Sequence, residues 1–293
     1  MDTTEIKAAA SAATELSEAP AGATIRLDPE YAATLHALDI AITIMALGRE
    51  PYPTDEQVIE AKHKIITLDA LSTTVSRLAT SEHRSELEEG DALQPAVLHI
   101  FDGGMISWGV EIFTPFFRRN TSRWDVQAFA VDYRASPENP APGPVEDVYA
   151  ALKKLSANAK DFGVDHERLI IHDYSAGGGR GGHCAAGEGQ RTQPAACKAD
   201  SDHPMLDDGT IGRYGPQWPV TNFLAWDENS NKIGWCAYVG EDKAGKDSVD
   251  VSIYATQERA RVENLVGLPR TYIDTPGVVA RVLDNRTRAI KPV

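Results

Sequence analysis

The sequence predicts an α/β fold with a mostly parallel central sheet and helices on both faces. Three short apolar runs, over 97–100, 128–133 and 169–172, predict buried strands. Stretches with helical periodicity and loops rich in glycine or proline separate these runs, and this alternation is typical of a parallel sheet. A chain of 293 residues, 42% of them hydrophobic and 25% charged, is long enough for one large domain of this class.

The first 94 residues are predicted to lie outside the sheet. Residues 1–24 are rich in Ala, Thr and Glu, and we expect a disordered N-terminus there. Asp28 is a predicted helix cap, and a second helix is predicted over 54–68 from its apolar spacing. Residues 73–93 are polar and charged and predict no strand. We therefore expect 25–94 to form an N-terminal helical cap region.

Residues 95–293 are predicted to form the α/β core. In chain order the elements are a strand over 95–100, a helix near 113–119, a strand over 128–133, a helix over 145–162 and a strand over 169–172. Residues 180–203 contain no Leu, Ile, Val or Phe, so they predict neither a packed helix nor the next central strand. A helical insertion is expected around 213–245, and 269–274 predicts a further strand.

One serine follows the third apolar run within a cluster of small residues. Ser175 lies between Tyr174 and Ala176, in the arrangement of a nucleophile elbow. This tight strand-to-helix turn lifts a serine hydroxyl out of the backbone, and it favours small residues two positions before and after the serine. Gly177 satisfies the second of these positions, whereas Asp173 departs from the first.

The overall charge and the cysteines exclude several classes of function. A net charge of −14 argues against nucleic acid or an anionic membrane as partner. The three cysteines lack metal-ligand spacing, so we predict no metal site and a reduced, cytoplasmic compartment. The N-terminus has no signal-peptide pattern, and the longest apolar run, 40–47, is too short to span a bilayer.

Five stretches together resemble the hormone-sensitive-lipase branch of the α/β-hydrolases, the fold-3 carboxylesterases. They are VLHIFDGGM at 97–105, DYRASPENP at 132–140, YSAGG at 174–178, PMLDD at 204–208 and GLPRTYID at 267–274. The second stretch is the most specific. The resemblance implies a serine carboxylesterase or lipase-like hydrolase of short acyl esters, with a small-molecule ester or apolar ligand and without a cofactor.

The resemblance also implies roles for individual residues. Ser175 matches the nucleophile that attacks the ester carbonyl. The backbone N–H groups of Gly103, Gly104 and Ala176 match the donors of the oxyanion hole.

The chain departs from the family pattern at other catalytic positions. Phe101 and Asp102 stand where the family has a histidine and a glycine, and Val279 stands where it has the catalytic acid. The family histidine lies near the C-terminus, but no histidine follows His203 in this chain. We therefore expect an incomplete α/β-hydrolase, truncated at its C-terminus, in which the catalytic His and Asp are not found.

Four hypotheses remain open, and the last of them is that the chain does not fold cooperatively, because losing a central strand and the final helix would expose apolar sheet faces. The first keeps ester hydrolysis with His183 or His203 as a substitute base, although a solvated histidine is the simpler interpretation of each. The second is a catalytically inactive family member that binds a small apolar ligand. The third is the product of a damaged gene, because composition changes abruptly after Gly179 and again after Gly277. Further side chains that bear on these hypotheses are the carboxylates of Asp207, Asp208, Asp274 and Asp284, which are candidates to orient a base, and Trp218, Phe223, Trp226 and Trp235, which are candidates for an acyl pocket or for packing.

Overall fold

Seven strands and three α-helices make up the described part of the chain. A computed structural model describes residues 58–66, 72–80, 93–179, 198–213, 226–247, 251–261, 264 and 269–274. In order, the elements are β1 (Val58–Ile66), β2 (Ser72–Thr80), β3 (Gln94–Ile100), α1 (Val110–Trp124), β4 (Gln127–Asp132), α2 (Gly143–Ala157), β5 (Val164–Tyr174), β6 (Lys198–Asp202), α3 (Glu228–Val239) and β7 (Arg270–Asp274).

The strands form one mostly parallel sheet, which confirms the predicted fold class. Their order is β1-β2-β4-β3-β5-β6-β7. β1 pairs antiparallel with β2 and β2 antiparallel with β4, whereas every pair from β4 to β7 is parallel. β3 and β4, in the middle of the sheet, are apolar over most of their length, because a parallel sheet packed with helices buries both of its faces.

The prediction for residues 54–80 was wrong where the structure describes them. Residues 58–66, placed in a helix, form β1, and Ser72–Thr80, predicted to hold no strand, forms β2. β2 escaped detection because it is polar, yet its Thr73 and Ser76 are buried. The N-terminal helical cap is therefore incorrect for these strands, and residues 1–57 lie outside the described part of the chain.

The prediction that 180–203 supplies no central strand was also wrong. Lys198–Asp202 forms β6, which pairs with β5 on one side and with β7 on the other. Backbone hydrogen bonds to two neighbours hold this strand, and its buried side chains are the small Ala199 and Ser201. Such a strand carries no apolar signal. β7 lies within the strand predicted at 269–274, and α3 lies within the helical insertion predicted around 213–245. Residues 180–197 lie outside the described part of the chain.

Two clusters of buried side chains form the core. The larger cluster joins the sheet to α1 and α2 and includes Leu98, Phe117, Phe129 and Leu152, all essentially inaccessible to solvent. The smaller cluster lies beyond the carboxyl ends of the strands and includes Met105, Ala176, Met205, Trp235 and Tyr238. This second cluster joins α3 to the loop after β3 and to the turn after β5, so it holds together the segments that carry the predicted site.

A buried histidine lies on β3, the middle strand of the sheet. His99 on β3 is fully buried, and its ring stacks on Phe117 with 4.5 Å between ring centroids. Neither ring nitrogen has a hydrogen-bond partner among the described residues. Burial lowers the pKa of His99 well below its ordinary value of 6.5, and the nearby His172 lowers it further. Burial also lowers the pKa of His172, although Asp200 opposes that shift.

We expect this burial to make the fold sensitive to acid. As pH falls below the ordinary His pKa of 6.5, the unfolded chain binds a proton that the folded chain excludes, so the free energy of unfolding decreases. His99→Leu should reduce this pH dependence. Urea unfolding from about pH 5 to about pH 7.5, the range in which an unperturbed histidine titrates, measures it. The control is His166→Leu at an exposed position. An unchanged pH dependence in His99→Leu would contradict the assignment.

Candidate active site

Ser175 lies at the junction between a strand and a helical turn. β5 ends at Tyr174, and Ser175–Gly177 forms one turn of 3-10 helix, after which Gly178 has right-handed helical backbone. Ser175 has φ of 51°, in the left-handed region that non-glycine residues rarely adopt. The structure therefore places Ser175 in a strand-to-helix turn with the backbone that an elbow requires. The residue is only 3% exposed, so the hydroxyl is covered rather than open to solvent.

The turn packs tightly against the end of β3. A Cβ atom at Gly177 would lie 2.6 Å from the carbonyl oxygen of Ile100 and 2.7 Å from that of Phe101. Only glycine fits this position, because backbone atoms cannot give way as a flexible side chain would. This contact brings the serine turn beside the loop that begins at Phe101.

Asp173, the residue that departs from the small-residue pattern, is fully buried on β5. Its backbone pairs with Ile100 on β3 and with Ser201 on β6. A Cβ atom at Gly178 would overlap Pro204 Cβ and lie 2.9 Å from Asp173 Oδ1, so glycine at this position leaves room for both Pro204 and the carboxylate. The glycine that follows the turn therefore compensates for a larger residue before it.

The loop after β3 holds the two glycines predicted as oxyanion donors. Gly103 and Gly104 both have positive φ, 131° and 56°. A Cβ atom at Gly104 would overlap the indole ring of Trp226, so this ring packs directly on the backbone of the loop. The Tyr133 hydroxyl donates hydrogen bonds to the carbonyl oxygens of Phe101 (2.9 Å) and Asp102 (3.3 Å), which anchors the start of the loop to the end of β4.

The Asp102 carboxylate already bonds the first of these glycine amides. The N–H of Gly103 donates to Asp102 Oδ1 at 2.6 Å, and that of Gly104 donates to the same oxygen at 3.4 Å. An oxyanion that formed here would compete with a resident negative charge for the same donors. Sequence reasoning noted Asp102 as a departure from the family, but it did not foresee these hydrogen bonds.

The aromatic candidates have different environments. Trp226 lies against Gly104, beside the predicted oxyanion loop. Trp235 on α3 is 1% exposed and packs in the smaller core cluster with Tyr238, so it serves packing. Trp218 and Phe223 lie outside the described residues.

The stretch after β4 is held to α2 by an ion pair between Arg134 and Asp147. Arg134 donates from Nε and Nη2 to the carboxylate of Asp147 on α2, with Nη2 2.7 Å from Oδ1. Its backbone N–H donates to Asp147 Oδ2 at 2.9 Å. Asp147 is fully buried. Asp132 accepts the N–H of Val110 at the start of α1 (3.1 Å), and burial raises the pKa of its carboxyl despite that bond.

The candidate acidic side chains after β6 have structural partners. Asp208 forms an ion pair with Arg259, with 2.7 Å between Oδ2 and Nη2, and its carboxylate also accepts the N–H of Gly245. Asp207 accepts the N–H of Gly209 at 2.7 Å and pairs with Arg213, so it caps a short turn. These two carboxylates are therefore engaged in holding loops rather than in orienting a histidine.

Of the two candidate bases, the structure describes only one. His203 directly follows β6, and its Nδ1 lies 2.8 Å from Asp202 Oδ1. Its backbone N–H donates to the carbonyl oxygen of Asp274 at the end of β7, at 2.7 Å. His183, Val279 and Asp284 lie outside the described residues. The Asp202–His203 contact was missed because two adjacent polar residues in a polar segment resemble any solvated pair.

The family follows from a comparison with known proteins. A sequence model described as alpha/beta hydrolase fold matches residues 97–281, which is more than half of the chain. The chain belongs to the alpha/beta hydrolase fold family. This confirms the resemblance to the fold-3 esterases that the five sequence stretches indicated.

Relatives of this alpha/beta hydrolase include named esterases. Carboxylesterase NlhH of Mycobacterium tuberculosis is 33% identical over 84 residues, which cover 29% of this chain and 26% of that protein. The chain thus matches about a quarter of the length of that relative.

Among solved structures, the bacterial heroin esterase has a TM-score of 0.74 and 26% identity, and the match covers 89% of this chain and 82% of that one. Carboxyl esterase 2 of the fungus Tuber melanosporum shares the fold, with a TM-score of 0.70 and 18% identity over 89% of this chain and 82% of that one.

The helices of this alpha/beta hydrolase do not meet the requirements of a membrane span. Within the described ranges, none is both long enough and apolar enough to cross a bilayer. The same ranges contain no cluster of three or more His, Cys, Asp or Glu side chains that could hold a metal ion.

Proposed function

We propose that this chain hydrolyses short acyl esters of small molecules with Ser175 as the nucleophile. The observation that supports the proposal most is the serine turn itself. Ser175 has left-handed backbone between a parallel strand and a helical turn, and Gly177 packs that turn on the end of β3. A tight turn of this kind between a strand and a helix is the recurrent support for a nucleophilic serine in this fold.

The chemistry would proceed in two stages through a covalent intermediate. Ser175 Oγ would bond to the ester carbonyl carbon while its proton passes to a base, and the alcohol would leave with that proton. Water would then cleave the acyl-serine by the same route. The N–H groups of Gly103, Gly104 and Ala176 would stabilise the charge on the carbonyl oxygen.

The Trp226 ring beside the loop after β3 favours a small acyl group. The indole of Trp226 packs on Gly104, beside the amides assigned to the oxyanion. An acyl group on the Trp226 side of this loop would meet the rigid ring, which would leave little space for a long chain. This contact supports short esters as substrates, in agreement with the sequence-based expectation.

A fluorophosphonate probe tests the nucleophile directly. We expect the probe to label the purified chain, and Ser175→Ala to abolish both labelling and the cleavage of p-nitrophenyl acetate. Ser252→Ala, at an exposed position remote from the turn in sequence, should retain both. Intact-mass spectrometry measures the labelling. A folded wild-type chain that stays unlabelled at saturating probe would overturn the proposal.

A second function is favoured by the carboxylate of Asp102. Because its Oδ1 accepts the N–H of Gly103 at 2.6 Å, the loop holds an anion where catalysis needs open donors. A family member that binds a small apolar ligand without hydrolysing it would tolerate this arrangement. Thermal shift with a panel of small apolar esters separates the two functions, since a binder gains stability without releasing alcohol.

A further inference from the structure

We infer that Asp202 and His203 form the acid–base pair that serves Ser175. The inference rests on the proposed function and adds to it the group that accepts the serine proton. The resemblance to the fold-3 esterases places a catalytic histidine near the C-terminus, whereas this pair lies on adjacent residues at the end of β6.

The register of the sheet brings His203 beside the serine. β5 and β6 are parallel, and Tyr174 pairs with Asp202. The next residue of each strand, Ser175 and His203, therefore leaves the same edge of the sheet side by side. The N–H of Met205 donates to the carbonyl oxygen of Ser175 at 2.7 Å, which keeps the two segments together beyond the last strand pair.

The backbone of His203 is held from the other side as well. Its N–H donates to the carbonyl oxygen of Asp274 at 2.7 Å, so β7 fixes the position of the residue. His203 has φ of 42°, in the same left-handed region as Ser175. Residues with positive φ cluster at functional sites, because surrounding structure must hold them there.

The side-chain contact gives the imidazole a defined role. His203 Nδ1 lies 2.8 Å from Asp202 Oδ1. When Nδ1–H donates to this carboxylate, Nε2 is unprotonated and can accept a proton. The carboxylate then stabilises the imidazolium that forms. The His203 side chain is 29% exposed, so substrate and water can reach it.

The proton transfers and bond changes involve only Ser175, His203, the ester and water. As Ser175 Oγ bonds to the carbonyl carbon, its proton moves to His203 Nε2. When the ester C–O bond breaks, Nε2 returns that proton to the leaving alcohol oxygen. Water then repeats the sequence on the acyl-serine, and the acid leaves.

Asp202, whose carboxylate contacts the imidazole, is the last residue of β6, and it pairs in register with Asp274, the last residue of β7. Asp200 lies two residues earlier on β6, so the three acids occupy one face of the sheet. Without the Asp202 carboxylate, the His203 ring would lose the contact that orients it.

The test substitutes His203 with asparagine, which tolerates left-handed backbone but cannot act as a base. In the full chain, His203→Asn should lower kcat/KM for p-nitrophenyl acetate by roughly 10²–10⁴-fold, and added imidazole should restore part of the lost rate. Asp202→Asn should lower kcat and leave KM unchanged, because the carboxylate orients the base and does not bind the ester. His166→Asn, at an exposed position, should leave both unchanged.

The outcomes separate the pair from the nucleophile. If Ser175→Ala abolishes hydrolysis while folded His203→Asn keeps the wild-type rate, the Asp202–His203 assignment is overturned and the proposed function stands. If the wild-type chain neither hydrolyses the ester nor reacts with the fluorophosphonate, the proposed function fails and this assignment fails with it. Loss of rate with imidazole rescue supports the pair, whereas loss without rescue in a variant of wild-type melting temperature overturns it.

Discussion

Replacing Asp102 with glycine should raise kcat/KM for a short acyl ester by roughly a hundredfold. The carboxylate now accepts the N–H of Gly103 at 2.6 Å, so that donor is engaged before any oxyanion forms. Removing the carboxylate opens the donor and also removes a negative charge next to the developing one. Steady-state hydrolysis of p-nitrophenyl acetate measures the gain.

Asp102→Asn is the matched variant for this effect. Asparagine keeps an oxygen that can accept the Gly103 N–H but carries no charge. We expect a gain smaller than that of Asp102→Gly, because the donor stays engaged. A glycine variant that folds and hydrolyses no faster than the wild type would show that the Asp102 carboxylate does not limit the oxyanion site.

Asp147→Ala should destabilise the fold by about 3–5 kcal/mol. Asp147 is fully buried, and its carboxylate accepts three N–H groups of Arg134, from the backbone, Nε and Nη2. Without the carboxylate, the Arg134 side chain, only 16% exposed, retains its charge in a poorly solvated position. A loss of this size is a large share of the roughly 5–15 kcal/mol that keeps a domain folded. The midpoint of urea unfolding measures the loss.

A second Arg–Asp pair in the same chain provides the control. Arg168 Nε lies 2.7 Å from Asp165 Oδ2, but both side chains reach solvent. Because solvent screens this pair, Asp165→Ala should leave the urea midpoint close to that of the wild type. If Asp147→Ala and Asp165→Ala gave equal midpoints, burial of the Arg134 pair would not be what stabilises the loop.

The strands that were predicted correctly are those with a recognisable run of apolar side chains. β3, β4 and the end of β5 are apolar runs buried by helices, and β7 lies within its predicted range. β2 and β6 were missed because neighbouring strands hold them through backbone hydrogen bonds, which depend on no side-chain pattern. The composition of 180–203 thus misled the prediction at Lys198–Asp202.

In the candidate site, too, some features were recognisable from the sequence and others were not. The serine turn and the glycine pair were recognisable because tight backbone packing demands particular residue types at fixed spacing. The contact between Asp102 and the N–H of Gly103 leaves no such pattern, since any acidic residue can fold back on its own neighbour. The role proposed for His203 depends on strand register, and β6 was not predicted. The roles assigned to Ser175, Gly103, Gly104 and Ala176 stay predictions until the variants are measured.

The contact between the Trp226 ring and Gly104 has a consequence for how substrate preference can change. Position 104 is restricted to glycine, because any side chain there would collide with the indole, whereas the Tyr133 hydroxyl anchors the start of the loop. The indole, however, belongs to a residue outside the sheet and outside the serine turn. Under the proposed function, substitutions at position 226 would change the space beside the Gly103 and Gly104 amides without altering those amides, so selectivity would evolve separately from reactivity.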